Sequence, residues 1–464
     1  MKSSILIKTW EALSEAQRKQ AVRAVQSPLL NQRKEVALLL DFIAKHADKK
    51  TWTKEAAFQF VYKKRPYDDG KMRHLMAYLL EVIRLGLAWQ GWLEDQPAVD
   101  LALCRELKKT GDSELLEREL ARAKAALEKS PDRHDGYYFR RFLLEQEIWE
   151  LGRQKHRGGV DNVAEINNAF GAYVAVNSLR QGCILLAQQN VSNVSAVIPY
   201  LPETLRLVEQ GHFEHNEAVN TWHASYTALA EPDREERFLR LKNLIAQNGP
   251  IFPEADLRDL YILAINVCIR RINAADKKFM REAFDLYRGG LARKVFLENG
   301  YLSKTTYRNV LNIAVAVGEW DWALAYLREF EVYLPPRDRD NIFRYNLATY
   351  HFRKREYGKA LELLRHVEMR DILENFDVRR MMVRMYYELG EIQALESLLD
   401  SFDIYLRRHK EGGYHREMYR NFVRFLKKII APVERKRGEK EKLLSDISTT
   451  SLLAEREWLI SLYG

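Results

Sequence analysis

Two stretches of this chain, Lys304–Pro335 and Asn341–Ile372, superimpose on one another, and that correspondence constrains the fold more than any other feature. Val310 falls on Leu347, Ala314 on His351, Trp320 on Tyr357, Ala323 on Ala360, Leu327 on Leu364 and Phe330 on Val367. Each stretch reads as two helices joined by a polar turn, Val317-Gly318-Glu319 in the first and Lys354-Arg355-Glu356 in the second. After the turn comes an aromatic residue, which packs in the angle between the helices. An alanine follows where the helices cross, and a larger side chain there would overpack by about 1–3 kcal/mol. A third unit is read at Phe376–Leu406, with its turn at Gly390, Tyr386 and Tyr387 before the turn and Phe402 near the end. Ala394 lies four residues beyond Gly390, so this turn is read as one residue short. The units start at 304, 341 and 376, giving spacings of 37 and 35. A helix pair of this kind cannot bury its own apolar face; stacked neighbours do so.

The pattern resembles the tetratricopeptide repeat. The first unit carries the resemblance through Tyr307, Asn309, Gly318, Trp320, Ala323, Phe330 and Pro335. The second carries it through Leu347, Ala348, Tyr357, Ala360 and Leu364, without the turn glycine or the closing proline. The resemblance covers about residues 304–406 and implies an all-α fold, an α-solenoid whose first helices line a concave, peptide-binding surface. It also implies candidate partner-binding residues. In repeats that grip a terminal carboxylate, one unit supplies a basic residue and an asparagine, matched here by Arg308 and Asn312. The next supplies an asparagine, matched by Asn346. In the third unit, counting from Gly390 places Asp377 and Met381 there, whereas counting from Ala394 places Phe376 and Arg380. Arg308, Asn312, Tyr345, Asn346, Thr349 and Arg380 are therefore the candidate groove residues. They suit a protein or peptide partner that carries acidic groups.

Helical periodicity extends through most of the chain. Asp69-Gly70 is followed by Met72, Leu75, Met76, Leu79, Leu80 and Ile83 at helical spacing, so the aspartates read as a helix cap. Helix starts are also read at Gly111–Ser113, Asp135-Gly136 and Pro253. Degenerate pairs are read at Asn216–Leu229 with Pro232–Gln247, and at Leu257–Ile272 with Asp276–Leu297, where Ala283 is the crossing alanine. No alternating strands flanking an Asn-Gly or Asp-Gly hairpin are expected. The chain of 464 residues is therefore read as an N-terminal helical domain over 1–153, a tetratricopeptide-like α-solenoid over 160–407, and basic capping helices over 414–464, formed by Tyr414–Ile430 and Leu452–Leu462. Joints are placed at Gln154–Asn162 and Glu411-Gly412-Gly413. In the N-terminal domain, helices around Val36–Ile43, Lys54–Tyr62 and Lys71–Leu87 fit either a helix-turn-helix module or further helical repeats.

The motifs of several enzyme classes are missing. The sequence contains no phosphate-binding P-loop, no Gly-x-Ser-x-Gly elbow, no His-Glu-x-x-His helix and no Gly-x-Gly-x-x-Gly turn. His212, His215 and His223 have near-metal spacing, but Gly211 places a turn beside them and no cysteine is near, so they read as scattered surface histidines. Cys104, Cys183 and Cys268 are far apart and odd in number, which fits no disulfide framework. No stretch approaches the roughly 20 apolar residues of a spanning helix, and no secretory apolar region follows Ile5–Ile7. The expectation is a cytoplasmic, non-enzymatic interaction scaffold without cofactor or metal.

Charge supplies the alternative. Of the net charge of +9, residues 1–100 and 401–464 each carry +5, leaving the middle near neutral. Arg416, Arg420, Arg424, Lys427 and Lys428 recur along one helical face, and Arg435-Lys436-Arg437 adds a second cluster. This face is read either as solvated surface or as a contact for phosphates or an acidic partner, which would make the chain a nucleic-acid-associated regulator. Trp89 and Trp92 end the third N-terminal helix and read as joint packing or as an exposed docking site.

Overall fold

Several helices begin where a short polar side chain caps the first exposed N–H groups. The Ser14 hydroxyl accepts from Gln17 N–H while the Gln17 side chain accepts from Ser14 N–H, a reciprocal capping box. The side chains of Thr53, Asp68, Asp95, Asp112, Ser303 and Asp371 each accept from a first-turn N–H without the reciprocal bond, Asp68 being the first of the expected aspartate pair. The computed structural model describes residues 4–46, 52–155, 162–189, 196–367, 371–431 and 437–462. The fold is all-α. Its first helices are α1 (Ile5–Ala12), α2 (Glu15–Gln26), α3 (Lys34–His46), α4 (Lys54–Tyr62), α5 (Asp69–Glu94), α6 (Gln96–Lys108), α7 (Ser113–Lys129) and α8 (Asp135–Lys155). Then come α9 (Val163–Gln189), α10 (Leu201–Glu209), α11 (Glu217–Ala230), α12 (Glu235–Asn248), α13 (Glu254–Asn273) and α14 (Lys278–Ala292). The three units singled out by the repeat supply α15 (Lys304–Ala316), α16 (Trp320–Phe330), α17 (Arg339–Arg353), α18 (Tyr357–Leu364), α19 (Ile372–Glu388) and α20 (Ile392–Arg408). The last helices are α21 (Gly413–Ile430), α22 (Arg437–Thr449) and α23 (Arg456–Ser461). No helix among the described residues is long and apolar enough to cross a membrane.

The chain divides into two compact units, Met1–Ser178 with Tyr200–Val219, and Leu179–Pro199 with Asn220–Gly464. In the first, α1 to α5 share a core built from Trp10, Leu39, Phe58, Leu79 and Ile83. Gly86 permits the crossing of α2 and α5, because a Cβ there would stand 2.3 Å from the Ala24 Cβ.

In the second unit, three hairpins share one turn. Gly318, Arg355 and Gly390 each adopt left-handed backbone, at φ 84°, 61° and 73°. At each, the N–H of the following residue reaches back five residues: Glu319 to Ala314 O at 2.9 Å, Glu356 to His351 O at 2.9 Å and Glu391 to Tyr386 O at 3.0 Å. The second helix begins two residues after the left-handed residue in all three. The residue five positions beyond it is fully buried each time: Ala323, Ala360 and Leu395. The third turn is therefore not a residue short. Leu395 occupies the crossing position and Ala394 is only half-buried.

Aromatic packing joins successive hairpins. Phe284 of α14 meets Trp322 edge-on at 4.9 Å, and Trp322 stacks on Tyr326 at 5.4 Å. Trp320 meets Tyr350 of the next hairpin at 5.8 Å. Upstream, α13 packs on α14, and Ala283 is fully buried as expected.

Four expectations are corrected. An Asn-Gly hairpin does exist: Leu297–Glu298 pairs antiparallel with Tyr301–Leu302 about Asn299-Gly300, whose φ values of 51° and 81° give the two-residue turn both left-handed positions. Glu411-Gly412-Gly413 is a tight corner and not a loose joint, since a Cβ on Gly412 would lie 2.7 Å from the Phe376 ring. Helix α22 was not anticipated, because only Leu443 and Ile447 of its thirteen residues turn inward. The expected Leu452–Leu462 helix shortens to α23, with Trp458 and Leu459 buried. Residues 156–161 of the first expected joint, and Arg435-Lys436, lie outside the described residues.

Candidate functional site

The first helices of the three hairpins bring together part of the candidate set. Counted back from the left-handed residue, Arg308, Tyr345 and Arg380 stand ten positions before it, and Asn312, Thr349 and Arg384 stand six before it. Equivalent positions nevertheless have different fates. Arg308, Tyr345 and Asn346 line a cleft of about 420 Å³. Asn312 is exposed outside it, and Thr349 is buried, its hydroxyl bonded to Tyr345 O at 2.9 Å. Arg380 is held by the protein itself, donating to Asp377 at 2.8 Å and pairing with Glu455, which also accepts from Arg384 at 2.6 Å. Three of its N–H groups are thus directed at two carboxylates of the fold, so Arg380 is anchored within the protein and does not stand free in the cleft.

Tyr345 crosses from α17 to α19 and donates to Asp377 Oδ2 at 2.7 Å. Burial would raise the Asp377 carboxyl, but the Arg380 charge, the Tyr345 and Arg380 hydrogen bonds and the charge of Arg308 together hold it below the usual carboxylate range. Burial first, and the Asp377 charge second, push the Tyr345 phenol upward. Arg308 itself is half-buried and makes no hydrogen bond or ion pair among the described residues. Beside it Asn346, 1 % exposed, donates through Nδ2 to Ile342 O at 2.7 Å, while its Oδ1 finds no partner among the described residues.

The cleft also contains residues that the sequence did not single out. Lys304 of α15 bridges to Glu374 of α19 at 3.0 Å, and Asp338 and Asp371 add two further carboxylates. The groove is thus of mixed charge, with carboxylates beside the candidate residues that were read as suiting an acidic partner. The available signal was positional: Lys304 and Glu374 both sit in the first turn of a first helix.

The C-terminal basic face is partly assembled. Arg420, Arg424, Lys427 and Lys428 line one depression of about 550 Å³, joined by Arg407 from α20. Arg416 leaves the set, since its Nε donates to Leu406 O at 2.6 Å. The pair Arg407-Arg408 at the end of α20 was the sequence signal for the missed member.

Of the weaker candidates, Trp89 is exposed and packs on Trp92 at 5.3 Å. His212 and His215 are exposed in the turn after Gly211, whereas His223 is buried in α11. The three cysteines are free and buried, and burial pushes their thiols up, away from the reactive thiolate form. Comparison with protein-family models, with curated proteins and with solved structures gives no match.

Proposed function

We propose that this chain is a non-enzymatic protein-interaction scaffold, tetratricopeptide-like over about residues 304–406, in which the helix pairs of residues 160–407 stack as an α-solenoid. A partner's peptide segment binds in the cleft lined by α15, α17 and the start of α19. A cytoplasmic location belongs to the same proposal. The observation that carries it is Arg308. This half-buried cation makes no hydrogen bond or ion pair among the described residues, and a buried asparagine with an unused acceptor lines the same cleft. A buried acceptor left without a partner, as at Asn346, costs stability in the free protein, and a ligand donor would recover that cost.

The mixed charge of the cleft narrows the partner. A carboxylate or other acidic group would meet Arg308, and polar or basic groups would face Asp338 and Asp371. A uniformly acidic segment would meet repulsion from the same carboxylates. The test is to isolate a partner by pull-down from native cells, then to titrate it against Arg308→Ala. Loss of a hydrogen bond to a charged group of about 1.5–3 kcal/mol corresponds to a roughly tenfold to hundredfold weaker complex. The melting curve should stay close to native, because Arg308 makes no hydrogen bond or ion pair among the described residues and acts on Asp377 only through its charge. Undiminished affinity would place the interface elsewhere.

A further inference from the structure

The depression between α20 and α21 has a chemistry unlike that of the cleft. Five cations line it: Arg407, Arg420, Arg424, Lys427 and Lys428. Two carboxylates, Asp403 and Glu417, oppose them. Arg407 is paired with Asp403 at 2.6 Å, and Lys427 with Asp400 at 2.6 Å. Arg420 and Arg424 are exposed and make no ion pair or hydrogen bond among the described residues; Arg424 lies only over the Phe425 ring, at 4.7 Å.

We propose that this depression is a docking groove for the phosphodiester backbone of a double-stranded nucleic acid, a second interaction surface independent of the cleft above. Three observations select that ligand class. First, the α21 cations recur every three to four residues, about 4.5–6 Å apart along the helix, so they present a line of charge suited to a line of phosphates. Second, none of the described residues that line the groove is an exposed apolar anchor. Phe422, Val423 and Phe425 are all buried, and a protein partner draws most of its affinity from aromatic or aliphatic anchors in pockets. Third, the same burial leaves no aromatic platform for unstacked bases, which single-strand binding uses. The concavity of the surface also disfavours a flat anionic bilayer. What remains is attraction to phosphate oxygens, which neutralises charge and releases counterions without reading sequence.

The experiment titrates a short, labelled DNA duplex of mixed sequence against the full chain at several salt concentrations. Wild type should bind, with affinity falling linearly on a log–log plot as salt rises. The double variant Arg420→Gln, Arg424→Gln should bind more weakly, with a slope reduced by up to about 0.9 per arginine. Its melting temperature should match wild type, since both side chains are exposed. Arg420→Lys with Arg424→Lys keeps the charge and should keep the slope. Arg328→Gln with Arg353→Gln removes the same net charge from exposed positions elsewhere and should leave the slope unchanged. An RNA duplex run in parallel identifies which nucleic acid supplies the backbone. Absence of salt-dependent binding, or an equal loss of slope in the Arg328/Arg353 control, would overturn the proposal. So would displacement of the duplex by polyglutamate at equal charge concentration, or tighter binding to vesicles of anionic lipid.

Discussion

The Tyr345 hydroxyl donates a 2.7 Å hydrogen bond to Asp377 Oδ2, and Arg380 closes on the same side chain at 2.8 Å through Oδ1. The first helices of the second and third hairpins are thus tied by a charge-assisted contact between a buried phenol and a half-buried carboxylate. One consequence reaches the cleft: Asp377 is satisfied by Tyr345 and Arg380, which leaves nearby Arg308 without a close anionic partner.

Tyr345→Phe removes one donor from a half-buried carboxylate and adds no new volume. Hydrogen bonds to charged groups contribute about 1.5–3 kcal/mol, so chemical denaturation should show a loss of about 2 kcal/mol. An unchanged midpoint would mean that Arg380 alone satisfies Asp377.

Acid should destabilise the wild type through Asp377. Its folded carboxyl titrates below the ordinary range, so the ionised form is bound more favourably in the fold than in the unfolded chain. That contribution is complete only well above the unfolded value of about 3.9, from about pH 5 upward, where the unfolded carboxyl is also ionised. It is lost as pH falls through the lowered folded value. Asp377→Asn cannot titrate. Melting temperatures of the two proteins should therefore converge on acidification, and parallel acid losses would remove Asp377 as a contributor.

Arg355 holds a left-handed conformation that glycine adopts in the neighbouring turns. The strain costs an L-residue roughly 1–2 kcal/mol, and the exposed Arg355 side chain makes no hydrogen bond or ion pair among the described residues to offset it. Arg355→Gly should raise stability by about 1 kcal/mol, while Gly318→Ala should lower it by a similar amount. Urea midpoints of the two variants should move in opposite directions.

Ala360 is fully buried five residues after Arg355, where α17 and α18 pack together. Ala360→Leu should cost about 1–3 kcal/mol by overpacking. Lys359→Gln removes only an exposed 3.1 Å contact with Glu356, worth little at the surface. Calorimetry should separate the two variants, and coincident melts would refute the shared register.

Much of the hairpin architecture was legible because its determinants are local. A cap, an apolar stripe and a left-handed turn each occupy a few consecutive residues, so Asp68, Gly318 and Ala323 announce their roles in sequence order. Arg355 and Leu395 were harder to read, since neither is the residue type that its position favours. Asn299-Gly300 was missed because its strands are two residues long and carry no alternation.

The candidate site was less legible. Sequence placed Arg308, Tyr345 and Arg380 on first helices of successive units, and that placement holds. What each side chain does there depended on residues far away in the chain. Arg380 is taken by Asp377 and by Glu455, 75 residues on. Arg416 is taken by a carbonyl of α20, and Arg407 joins Arg420 and Arg424 only because α20 packs on α21. By itself the sequence determined where helices start, stop and turn, because those choices are made by neighbouring residues. Tertiary structure alone decided which charges are spent inside the fold and which remain available, because an ion pair forms only when packing brings its two partners within a few ångströms.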